Sequence, residues 1–175
     1  MTPRPGDPVP DFTLPDTSGA DVPLRDNGAA ATVVVFTCNH CPYALAWHDR
    51  ITQLARDYAD RGVRFLAINP NDSSRRPGDS YEAMQKRVAS EEWPMPYLHD
   101  ADQDVARAYG AKTTPDVFVL DGDGRLCYRG APDSDYEDPG QRAAWVRDAL
   151  DAVLAGETPG RAETKPVGCS IKWKP

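Results

Sequence analysis

Long hydrophobic runs are missing from this sequence of 175 residues, and no stretch approaches the roughly 20 apolar residues that a membrane-spanning helix needs. An excess of basic residues is also missing, because 20 Lys and Arg stand against 27 Asp and Glu and the net charge is −7. This balance argues against a nucleic acid or an anionic membrane as partner. The N-terminal segment 1–8 contains no apolar stretch of the signal-peptide type, so we expect a cytoplasmic protein.

Cysteine is scarce too, with four residues in a chain that is long enough to build its own hydrophobic core. A disulfide framework is therefore not needed, and in the cytoplasm a Cys-x-x-Cys pair indicates redox or metal chemistry. Cys38 and Cys41 have this spacing, whereas Cys127 and Cys169 stand alone. Because a second pair is missing, a four-cysteine zinc site is disfavoured, and we expect no metal ion and no other cofactor.

The segment 38–41, with the sequence CNHC, follows an apolar run at 33–36 that predicts a buried strand, and it precedes Pro42, which suits the first turn of a helix. Thiolates are stabilised at a helix N-terminus by the dipole and by free N–H groups. We expect Cys38 to be the exposed attacking thiol. Cys41, one turn into the helix, would be the more buried thiol that resolves a mixed disulfide. The segment thus predicts thiol–disulfide redox chemistry.

Strand and helix patterns alternate along the rest of the chain. An N-terminal β-hairpin is predicted to turn near Ser18 and Gly19, and a polar loop at 69–79 to lie at the rim of the site. Strands are predicted at 31–37, 63–68, 117–120 and 126–128, and helices at 42–61, 80–92, 102–109 and 140–155. This order predicts one α/β domain, a central mixed sheet with helices on both faces. Its main body would cover 1–155, and 156–175 would be an extended tail of the same domain.

The element order, with the Cys-x-x-Cys motif after the first central strand and Thr114-Pro115 before a later strand, resembles the thioredoxin fold. GDPVPDFTL at 6–14 resembles the start of redoxins, the group of alkyl hydroperoxide reductase and thiol-specific antioxidant proteins (AhpC/TSA). FTCNHCPY at 36–43 and TKPVGCSIKWK at 164–174 resemble a largely uncharacterised peroxiredoxin-like subfamily of that group. The resemblance implies a redox enzyme in which Thr114–Pro115 is a cis peptide that faces the two cysteines.

The resemblance also suggests roles for residues around the pair. Thioredoxin-fold oxidants often carry His immediately before the second cysteine, so His40 could stabilise a Cys38 thiolate, or it could be an ordinary exposed histidine. Cys169 lies on the tail and could act as a third redox thiol, or it could simply pack there. Cys127, on a predicted strand, is expected to be a small core residue.

Three functions stay open at this point. The first is a thiol–disulfide oxidoreductase that cycles Cys38 and Cys41 on protein or small-molecule disulfides. The second is a thiol-dependent peroxidase, a peroxiredoxin-like antioxidant that reduces hydroperoxides through a Cys38 sulfenate. Either enzyme would need a thiol reductant such as a thioredoxin. The third, a copper-binding protein, is disfavoured because such proteins typically space their cysteines one residue further apart and work outside the cytoplasm.

One motif counts against the peroxidase. Peroxiredoxins resemble one another in a Pro-x-x-x-Thr-x-x-Cys signature, whose hydroxyl acts with a later Arg on the peroxide. Neither Cys38 nor Cys41 has Pro and Thr at the required distances. Arg125 and Arg129 lie on a predicted strand that could approach the site. We therefore place disulfide exchange ahead of peroxide reduction.

Overall fold

Five strands form the central sheet of the computed structural model, which describes residues 2–25 and 28–175. The strands in chain order are β1 (Thr13–Pro15), β2 (Asp21–Pro23), β3 (Ala31–Phe36), β4 (Val63–Asn69), β5 (Tyr97–His99), β6 (Thr113–Thr114), β7 (Asp116–Asp121), β8 (Leu126–Gly130) and β9 (Cys169–Ser170). The α-helices are α1 (Pro42–Asp57), α2 (Tyr81–Ser90), α3 (Asp104–Tyr109) and α4 (Ala144–Leu154). The central sheet has the order β5-β4-β3-β7-β8 and is mixed.

Strand β3 is the middle of this sheet. It pairs in parallel with β4 and antiparallel with β7, so Val33 lies between Phe65 and Val119. All six residues of β3 are buried, as expected for a strand that is covered on both faces. Because β3 leads directly into the CNHC segment, the best-anchored strand of the fold positions the two cysteines.

Side-chain alternation along β3 separates two hydrophobic cores. Val33 and Val35 face a core that also contains side chains of α1, α2 and α4. Val34 and Phe36 face a second core, which α3, the N-terminal hairpin β1–β2 and Ile171 of the tail complete. The predicted central mixed sheet with helices on both faces, the hairpin and the tail is confirmed. In the part of the chain that the structure describes, no helix is long and apolar enough to cross a membrane.

Two helix predictions were too long. The helix predicted at 42–61 ends at Asp57, and a separate 3₁₀ turn, Ala59–Arg61, leads to Gly62, whose φ of 76° needs the left-handed region. The helix predicted at 140–155 is also divided, because Arg142 and Ala143 have positive φ values of 57° and 54° between a 3₁₀ turn and α4.

The other helices and strands lie within a few residues of their predicted positions, and the hairpin β1–β2 turns at 16–20. The short strands β5, β6 and β9 were not predicted, since two or three residues carry no periodicity. The prediction that Cys127 is a core residue is wrong. It is half-buried on β8 rather than packed in the core, because its side chain points away from the neighbouring core residues Leu126 and Tyr128.

Candidate active site

The CNHC segment is a short loop between β3 and α1. The Thr37 N–H donates to the Ile68 carbonyl at the end of the sheet, and helix α1 begins only at Pro42. Cys41 is therefore the N-cap residue of α1, and Cys38 lies three residues earlier in the loop. The prediction that Cys41 lies one turn inside the helix is wrong, because the helix starts after the motif rather than within it.

Both thiols are buried. Cys38 is 2% exposed and Cys41 is 4% exposed. The expected contrast between an exposed first cysteine and a buried second one is therefore absent. The loop that follows β4 is the reason, because it packs over the motif: the Asn39 side chain donates to the Gly78 carbonyl, and its backbone N–H donates to Asp79.

Thr114 contacts both thiols. The Thr114–Pro115 peptide is cis, as the family resemblance implies. The Thr114 hydroxyl lies 3.2 Å from Cys38 Sγ, and its carbonyl oxygen lies 3.1 Å from Cys41 Sγ. The cis peptide thus brings one hydrogen-bonding residue against the two cysteines at once.

The tail supplies a third thiol to this site. Strand β9 pairs antiparallel with β6, with Cys169 opposite Thr114 and Ser170 opposite Thr113. The backbone N–H of Cys169 donates to Cys41 Sγ at 3.3 Å. Cys169 is therefore held beside Cys41, whereas Cys127 lies outside the site on β8.

The electrostatic environment differs between Cys38 and Cys41. The pKa of Cys41 is lowered, first by the neighbouring Cys38 and further by Cys169, whose backbone N–H donates to Cys41 Sγ. The pKa of Cys38 is raised, first by the neighbouring Cys41 and further by burial. The Thr114 carbonyl opposes a thiolate on Cys41, since a carbonyl accepts hydrogen bonds and donates none. The Cys169 N–H and the N-terminus of α1 favour negative charge on the Cys41 side of the pair, whereas the Thr114 hydroxyl can donate to Cys38 Sγ on the other side.

Asp79 is a buried carboxylate behind the motif, and the sequence analysis did not single it out. It is 1% exposed. Its Oδ1 accepts from the Asn39 N–H at 2.7 Å and from the Asn69 amide at 3.1 Å, and its Oδ2 accepts from the Asn71 amide at 3.0 Å. Its charge is a further reason for the raised pKa of Cys38. The predicted polar loop at 69–79 does lie at the rim of the site, but polarity alone did not distinguish Asp79 from its neighbours.

Helix α2 and strand β5 hold Asn39 from the other side. Arg87 donates to the Cys38 carbonyl at 3.1 Å and to the Asn39 side-chain oxygen at 3.0 Å. The Tyr97 hydroxyl donates to the same oxygen at 2.8 Å. Arg87 and Asp79 thus hold the motif's backbone, and Tyr97 holds the Asn39 side chain, before any substrate binds.

His40 is exposed at the rim of the site. Its ring packs closely on Gly78, where an added Cβ would lie 1.5 Å from Nε2. Among the described residues, no hydrogen bond joins the imidazole to a thiol; the backbone N–H of His40, rather than its ring, acts on Cys38. The effect of the ring on the thiols stays a prediction.

The AhpC/TSA family model matches residues 5–129. This protein belongs to the AhpC/TSA family. Its members are oxidoreductases of the thioredoxin fold, and the tail with Cys169 lies beyond the matched region.

Relatives of this AhpC/TSA protein carry names from both branches of thiol chemistry. A provisionally named peroxiredoxin of Mycobacterium tuberculosis is 31% identical over 134 residues, which covers 70% of this chain and 81% of that protein. The thiol-disulfide oxidoreductase ResA of Halalkalibacterium halodurans is 23% identical over 123 residues, covering 70% and 66%. An uncharacterized conserved protein from Geobacillus kaustophilus has a solved structure with a TM-score of 0.93 and 41% identity, covering 100% and 94%. The names of these relatives therefore do not decide between peroxide reduction and disulfide exchange.

A pocket of about 200 Å³ opens onto the three thiols. Besides the cysteines and Thr114, its lining comprises His40, Pro42, Asn71, Arg76, Asp79, Ser170 and Lys172. Arg129 is not among these residues, because it lies over the Phe118 ring and forms an ion pair of 3.5 Å with Asp116. Arg125 donates instead to the Gly6 carbonyl. The two arginines that could have served a peroxidase therefore lie elsewhere, and Arg76 and Lys172 provide the positive charge at this pocket.

A metal centre has little support. Within residues 2–25 and 28–175, no group of three His, Cys, Asp or Glu side chains is arranged to hold a metal ion. We do not propose copper binding.

Proposed function

We propose that this protein is a thiol–disulfide oxidoreductase that cycles Cys38 and Cys41 between a dithiol and a disulfide. The observation that carries the proposal is that both thiols lie against Thr114 of the cis peptide, with their pKa values moved in opposite directions. A pair that shares one proton provides a thiolate for attack and a thiol for resolution. Disulfides of small molecules or proteins would be the substrates, and a thiol reductant such as a thioredoxin, available in the cytoplasm, would complete the cycle.

Cys41, rather than Cys38, is the attacking thiol in this proposal. Its pKa is lowered by the thiols and N–H groups around it, and it occupies the N-cap position of α1. The Cys41 thiolate attacks one sulfur of the substrate disulfide, and the other sulfur leaves as a thiol after taking up a proton. Cys38 then attacks Cys41 Sγ, the second half of the substrate leaves, and the Cys38–Cys41 disulfide remains. This order reverses the roles expected from the sequence.

Thr114 and Asp79 act on Cys38 in this scheme. The Thr114 hydroxyl can donate to Cys38 Sγ when that sulfur loses its proton. Asp79 opposes the loss because its negative charge raises the Cys38 pKa. Cys38 would therefore stay protonated until a mixed disulfide on Cys41 removes the neighbouring negative charge, a sequence that keeps the two steps in order.

A thiol peroxidase is the second candidate. A thiolate at a helix N-terminus with Arg76 and Lys172 on the pocket lining is a reasonable place for a hydroperoxide to bind. The reaction would leave a sulfenate on Cys41 or Cys38, and the other thiol would condense with it to a disulfide. The position of Arg129, paired with Asp116 outside the pocket, favours disulfide exchange over this alternative.

The test uses protein with both Cys127 and Cys169 replaced by Ser, so that Cys38 and Cys41 are the remaining thiols. Reduced protein is mixed with oxidised glutathione, quenched in acid and analysed by mass spectrometry. We expect a Cys38–Cys41 disulfide to form. Adding Cys38→Ser should leave a glutathione adduct on Cys41, and adding Cys41→Ser should slow the reaction at least tenfold.

Two outcomes would contradict the proposal: no disulfide between Cys38 and Cys41, or an undiminished rate in the Cys41→Ser protein. Hydrogen peroxide replaces oxidised glutathione in a parallel experiment. A peroxide reaction orders of magnitude faster than that of an ordinary thiol would identify the second candidate as the activity.

A further inference from the structure

We propose that Cys169 is a third redox-active thiol, which exchanges into the Cys38–Cys41 disulfide to form a Cys41–Cys169 disulfide and release Cys38. This inference rests on the proposed dithiol function and extends it to the C-terminal tail. Strand β9 would then be a built-in exchange partner, held where an extended substrate segment could otherwise pair with β6.

The first support is the position of Cys41 between two thiols. On one side Cys41 contacts Cys38, and on the other side it accepts the N–H of Cys169 at 3.3 Å. The Cys169 side chain packs against the buried cluster that contains Cys41, and Cys41 raises the pKa of its thiol. Cys41 is therefore the sulfur that either neighbour can attack.

The second support is that the tail is firmly fastened at this place. The Lys172 carbonyl accepts the Asp72 N–H at 2.9 Å, and the Lys172 N–H donates to the Asn71 side chain at 2.9 Å. The Lys174 N–H donates to the Gln103 side chain at 3.0 Å. Since the Asn71 amide also donates to the buried Asp79, the tail is connected to the hydrogen-bond network behind the motif.

Gly168 brings the tail into register. A Cβ at this position would lie 2.3 Å from the Thr114 carbonyl oxygen and 3.1 Å from the Pro115 nitrogen, both of them backbone atoms that cannot move aside easily. Only glycine allows this close approach. The close approach positions the next residue, Cys169, opposite Thr114 in the β6–β9 ladder.

The exchange is balanced without any further reagent. The Cys169 thiolate attacks Cys41 Sγ in the Cys38–Cys41 disulfide, the bond between Cys41 and Cys169 forms, and the bond between Cys38 and Cys41 breaks. Cys38 leaves with the electron pair and takes up a proton, while Cys169 has lost one. One disulfide is present before and after the step, so nothing is oxidised or reduced overall.

The charges around Cys169 suit this order of events. Burial and the neighbouring Cys41 raise the pKa of Cys169 to about 11, whereas Lys172 and Arg76 act in the opposite direction. When Cys41 is part of a disulfide, its negative charge is gone and only the two cations remain as charged neighbours among these groups. Cys169 therefore becomes easier to deprotonate in the oxidised protein, which is the state in which the exchange needs it.

Strand β9 also restricts what can reach the thiols. It occupies the edge of β6, so a second extended chain cannot pair with Thr113 and Thr114 while the tail is in place. The pocket of about 200 Å³ stays open beside it. The docked tail thus favours small disulfides or hydroperoxides as substrates over extended segments of other proteins.

The experiment maps disulfides after oxidation with one equivalent of diamide, acid quenching and alkylation. Trypsin separates residues 26–50, with Cys38 and Cys41, from residues 162–172, with Cys169, because the bond between Lys165 and Pro166 resists cleavage. In the Cys38→Ser protein we expect nearly complete linkage of Cys41 to Cys169. In the Cys41→Ser protein we expect at least tenfold less linkage of Cys38 to Cys169.

Two glycine variants in the Cys38→Ser background control for docking of the tail. Gly168→Ala should lower the Cys41–Cys169 yield at least tenfold because the added methyl group meets Thr114. Gly160→Ala, in the same tail but with no atom within 4 Å of its Cβ, should leave the yield unchanged. Circular dichroism would show that both variants keep their fold.

The result that overturns the inference is a Cys38→Ser protein in which Cys41 and Cys169 stay unlinked. If the protein with Cys127→Ser and Cys169→Ser still forms its Cys38–Cys41 disulfide, the proposed function survives that failure. If that disulfide is also missing, both proposals fail.

Discussion

Asp79, which lines the thiol pocket, and Asp116, which follows the cis Thr114–Pro115 peptide, are two buried carboxylates with different surroundings. Asp79 is 1% exposed, and amide N–H groups of Asn39, Asn69 and Asn71 satisfy it. Asp116 is 0% exposed and follows the cis peptide directly. It has an ion pair of 3.5 Å with Arg129 and a hydrogen bond from the Lys112 N–H, but its Oδ1 has no hydrogen-bond partner among the residues that the structure describes.

The two carboxyl groups are buried to the same degree, but they differ in the number of hydrogen-bond donors around them. Burial raises the pKa of Asp116 to about 7, and one cation and one N–H only partly compensate. Asp79 has three hydrogen-bond donors around its two oxygens, and its charge is one cause of the raised Cys38 pKa. The Asp116 carboxyl gains and loses its proton near neutral pH.

The largest effect is expected from removing the Asp79 carboxylate. Asp79→Ala leaves the Asn39 N–H and two side-chain amides without their acceptor, and each unsatisfied buried group costs about 1–3 kcal/mol. We expect the free energy of unfolding to fall by about 3–5 kcal/mol. Urea denaturation followed by tryptophan fluorescence measures it. A loss below about 1 kcal/mol would show that the network is not the anchor of the motif.

The next largest effect is a pH dependence of the free energy of unfolding that arises from Asp116. Its pKa is raised, so the native state binds this proton more tightly than the unfolded chain does. The resulting stabilisation is complete below the unfolded pKa of about 4 and is lost as the pH rises through about 7.

Asp116→Asn cannot take part in this titration. Between about pH 5 and pH 8 the wild-type protein should lose roughly 2–3 kcal/mol of stability relative to the variant. Urea denaturation of both proteins across this range gives the difference. A constant difference would mean that Asp116 keeps its charge throughout this range.

The smallest effect is expected for His40, whose ring lies at the exposed rim, in contrast to the two buried carboxylates. Since no hydrogen bond of the described residues joins the ring to a thiol, His40→Ala should change the reduction potential of the dithiol by less than about 10 mV. Equilibration with dithiothreitol buffers measures the potential. A shift above about 30 mV, equivalent to roughly 1.4 kcal/mol, would restore the predicted role of His40 in stabilising a thiolate.

Much of the fold could be predicted because its main elements carry strong local patterns. Strand β3 is a continuous apolar run, and Trp47, Ile51 and Leu54 repeat at helical spacing on α1. The spacing of Cys38 and Cys41 indicated the chemistry, and the family resemblance indicated the cis peptide. These features depend on a few adjacent residues, or on a motif, and can be recognised without knowing what packs against them.

The remaining features depend on residues far apart in the chain. The role of Asp79 needs Asn39, which precedes it by 40 positions, to present its N–H. Strand β9 has two residues and pairs with a strand more than fifty residues earlier, so it cannot be predicted from the periodicity of the sequence. The start of α1 at Pro42 agrees with the predicted boundary, but the position of Cys41 relative to it was misjudged, because Cys41 is the N-cap residue and not a residue one turn inside the helix.

The central claim is that Cys41 is the thiolate of the pair, and selective alkylation tests it most directly. Reduced wild-type protein is treated near neutral pH with iodoacetamide at less than one equivalent, and fragmentation of the peptide 26–50 locates the label. The account predicts at least tenfold more label on Cys41 than on Cys38, because the thiolate is the reacting form. Preferential labelling of Cys38 would contradict it and would return the attacking role to the first cysteine.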